Sequence, residues 1–216
     1  MNAQDYILNK YGINFDDKTP MPIEIPNVGR GTLAQWLREL DFKIGVEVGV
    51  AAGEYSETLC EANPQIKLYG VDPWLPYRGY RDYTRTSTFS RLYEDAKRRL
   101  DGRSNYEFIK EFSMDALKRF EDNSLDFVYI DANHQDPYVG QDIAAWHEKV
   151  RPGGILAGHD YARPHAKDGT AQHNVKGAVQ TYATQNSINP WFVLGTFAIR
   201  RGEIRDAVRT WMWVKK

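Results

Sequence analysis

The stretch Ser124–Tyr161, SLDFVYIDANHQDPYVGQDIAAWHEKVRPGGILAGHDY, constrains the fold more than any other part of the chain. Leu125, Phe127, Val128, Tyr129 and Ile130 make an almost unbroken apolar run that ends at Asp131. Such a run marks a strand buried on both faces of a parallel sheet. A helix should follow, because Val139, Ile143, Trp146 and Val150 recur at helical spacing. Pro152-Gly153-Gly154 then breaks the chain before a second apolar run, Ile155–Ala157, leading to His159 and Asp160. A strand–helix–strand unit joins parallel strands, so the carboxylates of Asp131 and Asp160 should emerge on one edge of the sheet. Neighbouring strands lie roughly 4.8 Å apart, so both can reach one small ligand or cation. Open α/β sheets bind ligands at that edge.

The rest of the chain repeats the alternation. Strands are expected at 44–49, 66–71, 105–109, 125–130 and 154–158, with helices at 54–62, 88–100, 114–120 and 138–149 between them. A helix near 174–184 precedes two aromatic strands, 191–196 and 209–215, read as an antiparallel hairpin at one edge. Residues 1–31 read as irregular, with Pro20, Pro22 and Pro26 in an extended segment, and Thr32 with Gln35 as a capping box opening a helix. The pattern predicts a doubly wound α/β sheet. At 216 residues it suits one domain.

Composition narrows the function. Net charge is −1, so no global field recruits nucleic acid or an anionic membrane. The single Cys60 excludes an internal disulfide framework and a cysteine-rich zinc site. No apolar run approaches the ~20 residues of a membrane span, and MNAQDYILNKYGINF lacks the marks of a signal peptide. A soluble, cytoplasmic protein is expected.

Val46-Glu47-Val48-Gly49-Val50-Ala51-Ala52-Gly53 follows the first core strand and opens a helix. Small residues there let backbone approach a ligand, and a helix N-terminus offers free N–H groups. Alanines at 51 and 52 depart from G-x-G-x-x-G, which counts against a nicotinamide-dependent oxidoreductase. Asp72, at the end of Tyr69-Gly70-Val71-Asp72, is placed to accept hydrogen bonds from both hydroxyls of a ribose.

VEVGVAAGEYS, LYGVDPW, EFSMDAL, LDFVYIDANH and VRPGGILAGHDY, in that order, resemble the class I S-adenosylmethionine-dependent methyltransferases. The Asp-x-x-His and GHDY elements look like the branch of macrocin and mycinamicin sugar O-methyltransferases. The resemblance covers roughly 44–161, with RTWMWVKK looking like the family's last strand. It implies a Rossmann-like, mostly parallel seven-stranded sheet with an antiparallel last strand. One methyltransferase domain would then span 1–216: an N-terminal extension and helix (1–43), a cofactor-binding core (44–161), a candidate substrate lid (73–103) and a C-terminal helix and hairpin (162–216).

By position, the resemblance puts Glu47, Gly49, Val50, Ala51 and Gly53 around the methionine part of S-adenosylmethionine. Asp72 would hold the ribose, Ser113 and Met114 would flank and hydrogen-bond the adenine, and Asp131 would sit beside the sulfonium. In the relatives, the residue aligned with Asp131 and two residues aligned with His159 and Asp160 bind a divalent cation. The relatives carry Asp-Asp or Asp-Asn at that pair, so His159 shifts the expectation from magnesium toward manganese, iron or zinc. Consecutive strand residues point to opposite faces, which favours Asp160 over His159 as ligand. A metal-free site is the alternative.

His134, in the loop after Asp131, is the candidate base for removing a proton from a hydroxyl acceptor, since imidazole titrates near working pH. The bland alternative is an exposed loop histidine. His147, His165 and His173 have weaker claims, with His147 expected to face solvent. Tyr77, Tyr80 and Tyr83, interleaved with Arg78, Arg81 and Arg85, could grip a sugar, phosphate or carboxylate. The expected activity is O-methylation of a small hydroxylated molecule such as a sugar. A non-catalytic S-adenosylmethionine-binding protein is the alternative.

Overall fold

The apolar run 125–130 forms a strand whose six residues are all buried. The computed structural model describes residues 2–76, 85–162, 174–198 and 201–216. Its strands are β1 (Ile23–Ile25), β2 (Ile44–Val48), β3 (Lys67–Val71), β4 (Tyr106–Ile109), β5 (Leu125–Ile130), β6 (Val150–Gly158), β7 (Phe192–Leu194) and β8 (Trp211–Val214). Its helices are α1 (Ala3–Tyr11), α2 (Arg30–Glu39), α3 (Glu54–Ala62), α4 (Thr86–Leu100), α5 (Ser113–Ala116), α6 (Tyr138–Lys149) and α7 (Val175–Gln185). They build one sheet of order β1-β7-β8-β6-β5-β2-β3-β4. Among the described residues, only the pairings of β8, with β6 and with β7, are antiparallel.

Side chains of β5 alternate between two cores. Phe127 and Tyr129 pack with Leu33, Trp36, Leu37 and Leu59 from α2 and α3. Val128 and Ile130 pack with Ile143 and Trp146 of α6 and with Trp211 and Trp213 of β8. The helical stripe read from the sequence is the buried face of α6, and period-two alternation splits β5 between two helical layers.

The N-terminal expectations need correction. Residues 1–31 are not irregular: Ala3–Tyr11 is helical, capped by the Asn2 side chain, which accepts the Asp5 N–H at 2.8 Å. Ile23–Ile25 pairs in parallel with β7 and makes an eighth strand. Prolines flanking three residues are tolerated there because the strand is an edge. The final hairpin is therefore interior to the sheet, covered by β1 on one side and joined to β6 on the other. Helix α2 begins two residues before Thr32, whose hydroxyl accepts the Gly29 N–H at 3.3 Å from the third helical position. No helix among the described residues is long and apolar enough to cross a membrane.

Register fixes the site. Val48 pairs with Val71 on one side and Ile130 on the other, and Ile130 pairs with Gly158. The ladder runs one residue further, with Gly49 N–H donating to Val71 at 2.9 Å, Asp131 N–H to Val48 at 2.7 Å and His159 N–H to Ile130 at 3.0 Å. Gly49, Asp72, Asp131 and His159 thus leave one edge side by side. Strand order reverses between β2 and β5, which makes that edge the switch point where such sheets open a crevice.

Candidate active site

A cavity of about 270 Å³ opens at this switch point. Its walls are Gly49 and Ala51 after β2, Asp72 and Trp74 after β3, Phe89 and Leu92 of α4, Ser113 and Met114 of α5, Asp131 to Asn133 after β5, and Tyr138 and Asp142 of α6. Gly49 has φ +92°, and a Cβ there would lie 2.1 Å from the Asp131 carbonyl oxygen. Only glycine lets the two chain ends approach so closely.

Asp72 is held by backbone. Its Oδ2 accepts the N–H groups of Val50 and Ala51 at 3.1 and 3.0 Å, and its Oδ1 accepts that of Trp74 at 2.7 Å. The Trp74 indole donates in turn to the Ala51 carbonyl at 2.9 Å. Ala51 and Trp74 have φ of +48° and +45°, a conformation that costs non-glycine residues energy and persists where surroundings over-determine it. Burial raises the Asp72 pKa against those three hydrogen bonds.

Three other residues of the glycine segment do not reach the cavity wall. Glu47 lies inside β2 and is 2% exposed, its carboxyl bonded to the Ser56 hydroxyl beneath the loop. Burial pushes that carboxyl up to about 8, against the Ser56 hydrogen bond. Val50 contributes its N–H to Asp72, and its side chain is buried. Gly53 caps α3 with φ +80°, where a Cβ would meet Leu100 at 2.7 Å, so it serves the packing of α3 on α4.

Past Asp131 the cavity borders a group of carboxylate and imidazole side chains. His134 Nε2 lies 3.2 Å from Asp131 Oδ1 and 3.1 Å from Asp160 Oδ2. His159 Nδ1 lies 3.3 Å from Asp160 Oδ2 and 3.8 Å from Asp131 Oδ2. One ligand atom each from Asp131, His134 and Asp160 fall within 4.8 Å of one another, the arrangement that could hold a cation. His159 stands beside that trio. Asp160 has φ +59°; the chain has turned after β6, which brings both members of the pair toward Asp131. Burial opposes charge on His159, but its hydrogen bond to Asp160 and the charges of Asp131 and Asp160 outweigh it and raise its pKa. Burial likewise opposes charge on Asp160, yet the His159 hydrogen bond and the two imidazoles bring its pKa down to about 2.

Several wall residues were not read from the sequence. Asp142 is 5% exposed; it accepts the Ser113 hydroxyl, and Ser113 accepts the Trp146 indole N–H at 2.8 Å. Its signal was present, since Asp142 falls on the stripe of Val139, Ile143 and Trp146. Asn133 Oδ1 accepts the Gln135 N–H at 3.1 Å, while its Nδ2 is buried without a partner. An orphaned buried donor costs ~1–3 kcal/mol. His147 does not face solvent as expected. It accepts the Trp213 indole N–H at 3.1 Å, and burial lowers its pKa. Tyr77, Tyr80, Tyr83, Arg78, Arg81, His165 and His173 lie outside the described residues.

A family model described as a methyltransferase domain matches residues 46–161. No curated protein matches the sequence. Among solved structures, a Staphylococcus aureus protein assigned as a caffeoyl-CoA O-methyltransferase shares 11% identity and a TM-score of 0.61 over 98% of this chain and 90% of its own. An O-methyltransferase from Bacillus cereus in complex with SAH, S-adenosylhomocysteine, gives 13% and 0.58 over 99% and 90%. The O-methyltransferase TomG of Streptomyces achromogenes, which is involved in tomaymycin synthesis and was solved with S-adenosylmethionine, gives 17% and 0.56 over 100% and 97%. At such identities the likeness is one of fold.

Proposed function

The chain belongs to the methyltransferase-domain family, and from that premise we propose that it methylates a hydroxyl of a small molecule with S-adenosylmethionine. The observation that carries this reading is the shared residue Asp131. It closes the apolar-walled cavity on one side and belongs to the carboxylate–imidazole group on the other. A cofactor in the cavity would therefore end where acid–base groups begin. The Bacillus cereus and Streptomyces achromogenes structures hold SAH and S-adenosylmethionine, which supports the same cofactor here.

In this reading Gly49 and Ala51 border the methionine part, Asp72 accepts the ribose hydroxyls, and Ser113 and Met114 flank the adenine. Bound S-adenosylmethionine would supply a methyl group on a good sulfur leaving group, leaving alignment as the chain's main contribution. His134 is read as the base that takes the acceptor's proton. Its Nε2 faces the Asp131 and Asp160 carboxylates and is the nitrogen that donates to them, so Asp131 and Asp160, with His159 alongside, are left to hold a cation. Mixed oxygen and nitrogen donors suit manganese, iron or zinc better than magnesium. A cation there would act as a Lewis acid that eases ionisation of the acceptor hydroxyl. Of the candidate lid 73–103, residues 77–84 lie outside the described residues and Trp74, Phe89 and Leu92 line the cofactor cavity; the sugar-type motifs point to a sugar or similar hydroxylated metabolite as acceptor.

The test is binding followed by turnover. Calorimetry should show S-adenosylmethionine and S-adenosylhomocysteine binding, and a panel of sugars and phenols should yield a product heavier by one methyl, released with S-adenosylhomocysteine. Absence of binding overturns the reading. Tight binding with no transfer to any acceptor would favour the non-catalytic alternative.

A further inference from the structure

We infer that Asp142 is the residue that selects adenine, by accepting a hydrogen bond from the exocyclic amino group of the cofactor's base. This rests on the cofactor reading above and deepens it.

The inference starts from the Ser113 hydroxyl, which has one proton to give. Trp146 Nε1 is a donor only, so Ser113 Oγ must accept from it at 2.8 Å and turn its own proton to Asp142 Oδ1. Ser113 therefore has no hydroxyl proton left for a base, and the Met114 side chain offers no strong hydrogen bond. Beside both stands Asp142, which lines the cavity and has only Oδ1 engaged. Gln141, the neighbouring amide on this wall, is exposed, whereas Asp142 is 5% exposed and fixed through Ser113 to the buried Trp146. A buried, oriented acceptor discriminates far better than a mobile one, because the wrong partner leaves it unpaired. Adenine presents a donor at its amino group and an acceptor at the adjacent ring nitrogen. Hypoxanthine presents the reverse, with a carbonyl oxygen where adenine has its amino group, so a fixed carboxylate oxygen accepts from one and repels the other.

The experiment compares S-adenosylhomocysteine with its deaminated analogue, S-inosylhomocysteine, by calorimetry on the full chain. A lost hydrogen bond to a charged acceptor corresponds to about 10–150-fold in affinity, and wild type should prefer the adenosyl compound by at least about tenfold. Asp142→Asn is the sharper arm. Ser113 still needs an acceptor, so the introduced amide must turn its oxygen to Ser113 and its NH₂ to the cavity. The preference should then vanish or reverse, an outcome that mere loss of packing would not produce. If that variant does not fold, Asp142→Ala should bring the two ligands to near parity. Equal affinities in wild type, or an unchanged ratio in a folded variant, overturn the assignment of Asp142. Failure of wild type to bind either compound overturns the cofactor reading instead.

Discussion

On the cofactor side of the cleft, Asp72 is fixed by three backbone N–H donors, from Val50, Ala51 and Trp74. On the side proposed to receive the acceptor, Asp131, His134, His159 and Asp160 contact one another through partly exposed side chains. Backbone donors cannot be re-aimed without dismantling the strand ends, so the first wall is preorganised to bind. Side-chain contacts rearrange when a proton or a cation arrives, so the second wall can change its charge during a reaction. If this division holds, substitutions on one side should alter affinity and on the other side rate.

The largest separation should come from His134→Ala. General-base catalysis contributes about 10²–10⁴-fold, and kcat should fall by that factor while the Kd for S-adenosylmethionine stays near wild type. Equal losses in both would make His134 part of the binding wall and break the comparison. Asp72→Ala should do the converse. Losing charge-assisted contacts to a ribose costs ~1.5–3 kcal/mol, or about 10–150-fold in Kd, while kcat at saturation changes little. Calorimetry beside saturating kinetics reads both.

Chelation sharpens the acceptor side. With Asp131 and Asp160 holding a cation, exhaustive dialysis against a chelator should lower activity by at least about tenfold, the lower end for disturbed metal sites. Manganese or zinc should restore it to wild type but not to Asp160→Ala. Activity that survives both chelation and Asp160→Ala would show that a cation is absent or incidental and that the Asp160 contact to His134 is dispensable.

The same contrast explains what the sequence made legible. Strand β5, helix α6 and strand β6 were readable because a strand buried on both faces and a helix with one apolar stripe leave different periodicities. Asp72 and Asp131 were readable as strand-end carboxylates. Ile23–Ile25 was not, because three residues between prolines carry no period and their partner β7 lies far along the chain. Asp142 is a carboxylate within the apolar stripe of α6, and helical periodicity marks the hydrophobic members of such a stripe rather than a polar one among them. Glu47 enters the cofactor set through the resemblance, whereas in the fold it lies inside β2, bonded to Ser56, and Val48 is the β2 residue that lines the cavity. The contact of His134 with Asp160 joins residues from the ends of two strands, and only the turn at Asp160 reveals it.

The smallest expected effect tests where the cofactor wall ends. Glu47 lies beneath that wall, bonded to Ser56 and away from the cavity, and burial raises its carboxyl pKa to about 8 from an ordinary value of 4.5. A carboxyl whose folded pKa is raised binds more protons in the folded state than in the unfolded one. Its contribution is fully present below pH 4.5 and is lost as pH rises toward 8. Glu47→Gln is neutral in both states and escapes that loss. Its melting temperature should therefore match or slightly exceed wild type near pH 5 and pull ahead by pH 8 to 9. Each ~1 kcal/mol recovered is worth about 2–4 °C in a chain of this size. Cofactor affinity should stay near wild type, because the side chain does not line the cavity. A pH-independent difference in melting temperature would mean that Glu47 is already ionised in the fold. A loss of cofactor affinity would extend the binding wall from Val48 down to Glu47 and return Glu47 to the set of cofactor contacts that the resemblance implied.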